Sequence, residues 1–365
     1  MIRLHSRLFA WTAALATLAW LGSAFAQDTT NPVDEGAFYL GRGECNLAEF
    51  AYQDALEENP GDVTALVGLG RAQRCLGDTQ GAVTTHRQAV LASGQALEPL
   101  VELALSYRAD ATRNGLDQTA LNDALETADV AKQLNPDDPR PHAVEGFVLL
   151  DVGSTAAAAE ALQTAIDRMR DEGAVMDDAE KARVYLNLGR AQRDLNDLDA
   201  ARSALEAAAT RDPSNAQAFA LLGDVEFLRG SCEAALIAME RATELSPDAP
   251  LLLGRLGITR IQCGEPEQAV AALQQATRDD AALFAPALFT YLAEAYLAVG
   301  QSAAAVEPAR KGSLLPPERA DAWVVLARAL LERGYPGDVE QARNAVQRAA
   351  ELDPSLTNLA DDLGL

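Results

Sequence analysis

Positive charge, aromatic residues and histidine are all scarce in this sequence. Lys and Arg number 30 against 54 Asp and Glu, for a formal net charge of −24, and Phe, Trp and Tyr make up only 5% of the chain. Such an excess of acid repels phosphate groups, so nucleic acid and anionic membrane surfaces are poor candidate partners. Alanine is abundant instead, and it has the highest helix propensity of any residue. The composition therefore favours helices that pack closely through small side chains.

Long apolar runs are missing after the first 26 residues, so no membrane span is predicted in the rest of the chain. Within residues 1–26, Arg3 and Arg7 precede an apolar run from Leu8 to Leu21, and small residues follow at Gly22–Ala26. This order is typical of a cleaved export signal. An uncleaved N-terminal anchor is the alternative. We expect the mature chain, residues 27–365, to be periplasmic or extracellular.

The sequence also lacks the motifs of the common enzyme and metal-site classes. After the predicted signal only His86 and His142 remain, and neither lies in an H-E-x-x-H motif. There is no G-x-S-x-G around a nucleophilic serine and no G-x-x-x-x-G-K phosphate-binding loop. We interpret His86 as a packed core residue rather than a base. We predict no enzymatic activity, no cofactor and no metal site.

A repeated pattern runs through the rest of the sequence. The hexapeptide LGRAQR occurs at Leu69–Arg74 and again at Leu188–Arg193. Around such Leu-Gly or Leu-Ala pairs, a turn glycine, two alanines and a closing proline recur on a 34-residue period. A fixed period of this length indicates stacked copies of one structural unit. In the clearest copy, Leu222-Gly223 is followed by Gly230, Ala235, Ala242 and Pro247.

This pattern resembles the tetratricopeptide repeat, a unit of two antiparallel helices. The resemblance implies an all-α, TPR-type α-solenoid over residues 27–365, that is, a right-handed superhelix of antiparallel helix pairs. Because one pair cannot bury its apolar face alone, neighbouring pairs must stack. An inter-repeat linker is expected at residues 171–181, and Pro308 is expected to kink a second helix. Nine repeats are expected, starting near Thr29, Val63, Leu97, Pro139, Ala182, Ala216, Pro250, Pro286 and Ala320.

Four cysteines in an exported chain suggest disulfides, and four cysteines allow three pairings. The repeat register that the resemblance implies puts Cys45 at the start of a second helix and Cys75 at the end of the next first helix. Cys232 and Cys263 repeat this arrangement. We therefore predict the pairs Cys45–Cys75 and Cys232–Cys263. Four buried free thiols are the alternative.

Candidate partner-binding residues also follow from the resemblance, because the first helices of such repeats line a concave groove. Several arginines occupy first-helix positions, and a guanidinium group suits the carboxylate of a peptide. Internal pairing with acids such as Glu98, Glu102 and Asp224 is the alternative, and burial in the core is the alternative for the apolar candidates. The candidate groove residues are Arg71, Arg74, Arg108, Arg183, Arg190, Arg193, Arg255, Phe147 and Phe227.

The function implied by the resemblance is that of a protein-interaction scaffold. We expect an exported adaptor that binds a protein or peptide partner in the groove and helps to assemble a cell-envelope or secretion complex. A structural alternative is self-assembly, because only a short segment follows Pro354 and the last repeat could stack on another copy. The oligomeric state is left open.

Overall fold

The computed structural model describes residues 31–169, 176–278, 283 and 285–365. Throughout these ranges the regular structure is helical, without a strand, and the helices follow one another in repeated pairs, as in an α-solenoid. The predicted export signal, residues 1–26, lies outside the described residues, as do residues 171–175 of the predicted linker. None of the described helices is both long and apolar enough to cross a membrane.

The chain divides into two compact units, Met1–Val152 and Gly153–Leu365, and this boundary falls between the two helices of the fourth predicted repeat. Short turns join most consecutive helices among the described residues, so these neighbouring helices run antiparallel and pack on one another. The helices of the first unit are α1 (Pro32–Gly41), α2 (Cys45–Glu58), α3 (Val63–Leu76), α4 (Thr79–Ala92), α5 (Leu97–Arg113), α6 (Gln118–Leu134) and α7 (Pro139–Asp151).

The second unit continues the same alternation of first and second helices. Its last regular elements are a 3₁₀ turn at Pro354–Leu356 and the short helix α19 (Leu359–Asp362). The preceding helices are α8 (Thr155–Met169), α9 (Asp178–Asp194), α10 (Leu198–Arg211), α11 (Ala216–Leu228), α12 (Cys232–Leu245), α13 (Pro250–Gln262), α14 (Pro266–Ala276), α15 (Ala287–Ala298), α16 (Ser302–Leu314), α17 (Ala320–Arg333) and α18 (Asp338–Leu352).

Local sequence signals set the ends of these helices. Helix α3 begins after Asp62, whose side chain accepts a hydrogen bond from the backbone N–H of Ala65, and it ends at Gly77 in the left-handed conformation. The turn glycines Gly153, Gly230, Gly264, Gly300 and Gly334 also have positive φ, as their place in the pattern predicts. In the fifth repeat the corresponding residue is Asn196, with φ of 61°. The sequence pattern, which expects a glycine here, did not predict this residue.

The two glycines that flank Leu69 lie where helices approach closely. A Cβ atom added at Gly70 would lie 2.4 Å from Nε2 of His86, and one added at Gly68 would lie 2.2 Å from Cζ of Tyr52. Small residues at these positions therefore make room for a large ring from a neighbouring second helix. His86 is fully buried there, in agreement with its interpretation as a core residue.

The C-terminal residues cover part of the last repeat. Leu359, Leu363 and Leu365 pack against the core cluster that includes Val325, and Val346 belongs to the same cluster. The sequence suggested that so short a segment would leave this apolar surface partly exposed or covered by a partner. Helix α19 folds back on part of it, since its leucines bury apolar area against the preceding helices.

All four cysteines lie in two close pairs. Cys45 faces Cys75 with a Cα–Cα distance of 6.2 Å, and Cys232 faces Cys263 with a Cα–Cα distance of 5.6 Å. Both distances fall in the range that a disulfide requires. In each pair the start of a second helix meets the end of the next first helix, which is the arrangement that the repeat register predicts.

We expect both cysteine pairs to be oxidised in protein isolated from its native compartment. The double replacement Cys45→Ser with Cys75→Ser should lower the free energy of unfolding by about 2–4 kcal/mol, because each cross-link closes a loop of some thirty residues. Denaturant unfolding with and without a reductant measures the effect. Intact-mass analysis that found four free thiols would contradict the prediction.

Candidate functional site

In the first unit, two candidate arginines pair with acids of the next first helix. Arg71 and Arg74 lie on α3 and face Glu98 and Glu102 on α5. Glu102 receives hydrogen-bonding contacts from both guanidinium groups, at 2.9 Å from Arg71 and 2.6 Å from Arg74, while Arg71 also contacts Glu98 at 2.9 Å. The two acids differ in burial, since the side chain of Glu102 is 6% exposed and that of Glu98 is 53% exposed.

The Glu102 carboxylate is held in its charged form by these neighbours. Burial alone would raise its pKa, but Arg74 and Arg71 together lower the pKa of Glu102 to about 2. A buried carboxylate with two guanidinium partners is a fixed structural feature, because removing either side would leave an uncompensated charge. Glu98, being half-exposed, is the more replaceable partner of Arg71.

A chain of hydrogen bonds continues inward from Arg74. Its Nη1 donates to Oγ of Ser106 at 3.1 Å, and this hydroxyl lies 2.8 Å from Nδ1 of His86. Nε2 of His86 lies 3.2 Å from the carbonyl oxygen of Val67, which can only accept, so Nε2 carries the proton and Ser106 donates to Nδ1. Burial, followed by the charge of Arg74, lowers the pKa of His86 to about 4. The ring is therefore neutral at neutral pH.

The third repeat and the first helix of the fourth are joined in a similar way. Arg108 donates from Nε to Asp151 at 2.6 Å and from Nη2 at 3.2 Å. The same guanidinium lies over the ring of Phe147, 5.3 Å from its centroid, and Phe147 is only 4% exposed. The Phe147 ring therefore presents little surface to a ligand.

In the second unit the candidates surround Asp224 on α11. Arg255 from α13 and Arg193 from α9 both contact Oδ2 of Asp224, the latter at 3.5 Å. Arg193 also donates to Asp194 at 2.6 Å, and Arg255 donates to the carbonyl oxygen of Ala220 at 2.9 Å. Burial raises the pKa of Asp224 and outweighs the opposite influence of Arg255 and Arg193.

Beside this cluster is a cavity of about 290 Å³ that opens on the first helices α9, α11 and α13. We call this surface of the second unit the first-helix face. Phe227 and Ile258 are half-buried at the cavity and Leu228 is exposed, so apolar side chains meet charged groups here. The lining residues are Arg193, Asp224, Phe227, Leu228, Arg255, Ile258, Thr259 and Gln262.

Arg190 and Arg183 complete the set of candidates, and both are exposed on α9. Within the part of the chain that the structure describes, Arg190 makes no hydrogen bond or ion pair through its guanidinium group. It lies one turn before Arg193 on the same helix. Its five N–H donors are thus available to a ligand.

Sequence reasoning named three of the acidic partners, Glu98, Glu102 and Asp224, but not Asp151 or Asp194. Asp194 directly follows Arg193 in the sequence, a signal that could have been used. Asp151 lies 43 residues after Arg108, and only the stacking of helices brings the two together. Among the described residues no three His, Cys, Asp or Glu side chains form a group that could hold a metal ion.

The fold and the candidate site define a class: a helical-repeat scaffold that offers a surface to protein or peptide partners. A family model described as tetratricopeptide repeat matches residues 34–98, 186–250 and 292–357, together more than half of the chain. The chain belongs to the tetratricopeptide repeat family. A comparison with curated protein sequences finds no significant match.

Solved structures resemble the chain at low sequence identity. The chain is 14% identical to a chain of the Cut9–Hcn1 hetero-tetramer of the APC/C, covering 96% of this chain and 81% of that one, with a TM-score of 0.49. It is 18% identical to pilF of Pseudomonas aeruginosa (63% and 96% covered, TM-score 0.48). It is 17% identical to a tetratricopeptide repeat protein of Parabacteroides merdae (68% and 91% covered, TM-score 0.45).

Proposed function

We propose that this protein is exported and binds a partner polypeptide on the first-helix face of its second unit, as an adaptor in a cell-envelope or secretion complex. The protein performs no chemistry in this role. Partner recognition relies on shape complementarity and on pairing between arginine and carboxylate groups.

The observation that carries the proposal is the cavity of about 290 Å³ beside Asp224. Phe227 and Ile258 offer an apolar surface into which one aliphatic or aromatic side chain of a partner can insert. Such an insertion removes apolar area from water on both molecules, which favours binding.

Charged groups around the cavity can orient the bound partner. Arg190 has an uncommitted guanidinium group, and Arg193 shares its donors between Asp194 and a long contact to Asp224. A carboxylate of the partner that binds near α9 can accept from these arginines without breaking a short ion pair with Asp224. The rest of the chain is strongly acidic, so a partner with scattered basic residues would also be attracted at long range.

The arginines of the first unit fit this role less well. Arg74 and Arg108 are committed to Glu102 and Asp151 at 2.6 Å, and both acids are largely buried. A ligand carboxylate at Arg71 would have to compete with Glu98 as well as with Glu102. We therefore infer that these ion pairs stabilise the packing of neighbouring repeats and do not bind the partner.

A single charged replacement should test the site. Ile258→Glu places an acid in the apolar part of the cavity, and capture of partners from the native envelope fraction should fall by at least about 10-fold, as expected for a lost central contact. Ile237→Glu is the matched control, because Ile237 is 62% exposed on the second helix α12 and does not line the cavity. Quantitative mass spectrometry of the captured proteins gives the ratio. Equal capture by both variants would refute the proposed surface.

A further inference from the structure

A second cavity lies near the C-terminus, away from the first-helix face. Its volume is about 400 Å³, and helices α16, α17 and α18 supply its walls together with Glu318 from the preceding turn. Polar side chains surround a floor made of Leu326, Leu330 and Ala345. The remaining lining residues are Arg310, Trp323, Gln341, Asn344 and Arg348.

The two arginines of this cavity differ in the acceptors that their guanidinium groups contact. Arg348 contacts Glu318 and Glu351, each at 2.8 Å. Arg310 donates to a neutral acceptor, Oε1 of Gln341, at 3.2 Å, and no carboxylate of the described chain lies within ion-pair distance of it. A guanidinium group at a cavity wall that lacks an anion is a ready partner for an anionic ligand.

Trp323 lines the same cavity and is half-buried there. Its indole N–H is buried and does not reach a ligand in the cavity, so Trp323 contributes the accessible part of its ring. The amide of Asn344, which is exposed at the rim, can donate a hydrogen bond.

The helix that carries Arg310 also contains a proline. Pro308 lies inside α16, so one backbone N–H is missing from the helical ladder. Arg310 and Pro308 also line a neighbouring cavity of about 370 Å³, so Arg310 borders open space on both of these sides.

We propose that the cavity at Arg310 and Trp323 is a binding site for a small organic monocarboxylate with an apolar body. The carboxylate accepts hydrogen bonds from the Arg310 guanidinium, and the hydrocarbon part lies against the Trp323 ring above the floor of Leu326, Leu330 and Ala345. Glu318 lines the same cavity and disfavours a dianion such as phosphate. This site is separate from the first-helix face, so the inference does not depend on the proposed partner binding.

Isothermal titration calorimetry of the purified protein with benzoate tests the site. We expect saturable binding of benzoate, at least about 10-fold weaker binding of its neutral analogue benzamide, and no comparable binding of inorganic phosphate. Arg310→Met should reduce benzoate affinity at least about 10-fold. The matched control is Arg343→Met, because Arg343 is exposed on α18 and does not line the cavity.

The outcomes separate clearly. Absence of saturable binding to the wild-type protein would overturn the proposal without any variant having to fold. Equal affinity for benzoate and benzamide, or for benzoate and phosphate, would overturn the assigned ligand class. Unchanged affinity in Arg310→Met would show that benzoate binds at another site and would overturn the proposal. Arg310→Lys keeps the positive charge, so it should retain part of the affinity.

Discussion

Replacing Glu102 by alanine should lower the free energy of unfolding by about 3–5 kcal/mol, the range observed when one member of a buried ion pair is removed. The Glu102 side chain is 6% exposed and faces Arg71 at 2.9 Å and Arg74 at 2.6 Å. In the variant Arg74 loses its only short carboxylate partner while remaining largely buried. Urea unfolding monitored by far-ultraviolet circular dichroism measures the change.

Glu98→Ala is the matched control for this experiment. Glu98 contacts the same arginine at 2.9 Å, but its side chain is 53% exposed. Ion pairs at the surface contribute little, so the control should lose no more than about 1 kcal/mol. If the two variants unfolded at the same denaturant concentration, the assignment of Glu102 as the buried anchor of the first unit would be wrong.

Acid should destabilise the first unit through His86. The pKa of His86 is lowered to about 4 by burial and then by Arg74, whereas an unfolded chain has an imidazole pKa near 6.5. As the pH falls below that value, the unfolded chain takes up a proton that the folded chain does not, so unfolding is favoured. The stabilisation is complete above the unfolded pKa and is lost progressively towards the folded one. Between about pH 7 and about pH 5 the loss should be about 2 kcal/mol.

The variant His86→Phe isolates this contribution. Phenylalanine keeps a ring against Gly70 but cannot titrate, and the carboxylates of the chain titrate in both proteins. The difference in unfolding free energy between the two pH values should therefore be smaller in the variant by that same amount of about 2 kcal/mol. Urea unfolding of both proteins at both pH values gives the four unfolding free energies to be compared. An equal pH dependence in the two proteins would show that the buried imidazole does not titrate as described.

The sequence pattern was sufficient to predict the fold because the signature of the helix pair recurs many times along the chain. Turn glycines, closing prolines and the Leu-Gly pairs recur at fixed offsets, so each copy supports the assignment of the others. The same register places Cys45 near Cys75, since it fixes which helix ends are neighbours. Asn196 shows the limit of the pattern, because asparagine also tolerates the left-handed conformation and can replace glycine in a turn.

The candidate site could be predicted only in part, because pairing depends on the relative rotation of helices. The sequence shows that Arg108 lies on a first helix, but not that Asp151 meets it from the next one. It gives no indication that Ser106 joins Arg74 to His86. The cavity at Arg310 is beyond such reasoning as well, since it arises from the packing of α16, α17 and α18.

The ion pairs between successive first helices have a consequence for how this protein can evolve. Each pair joins one particular repeat to the next, Arg74 to Glu102 in one place and Arg255 to Asp224 in another. A repeat that was duplicated, deleted or exchanged would bring its arginine opposite a residue that does not accept it. The repeats share one shape, but these ion pairs make particular neighbours complementary to each other, so exchanging repeats should weaken the stack.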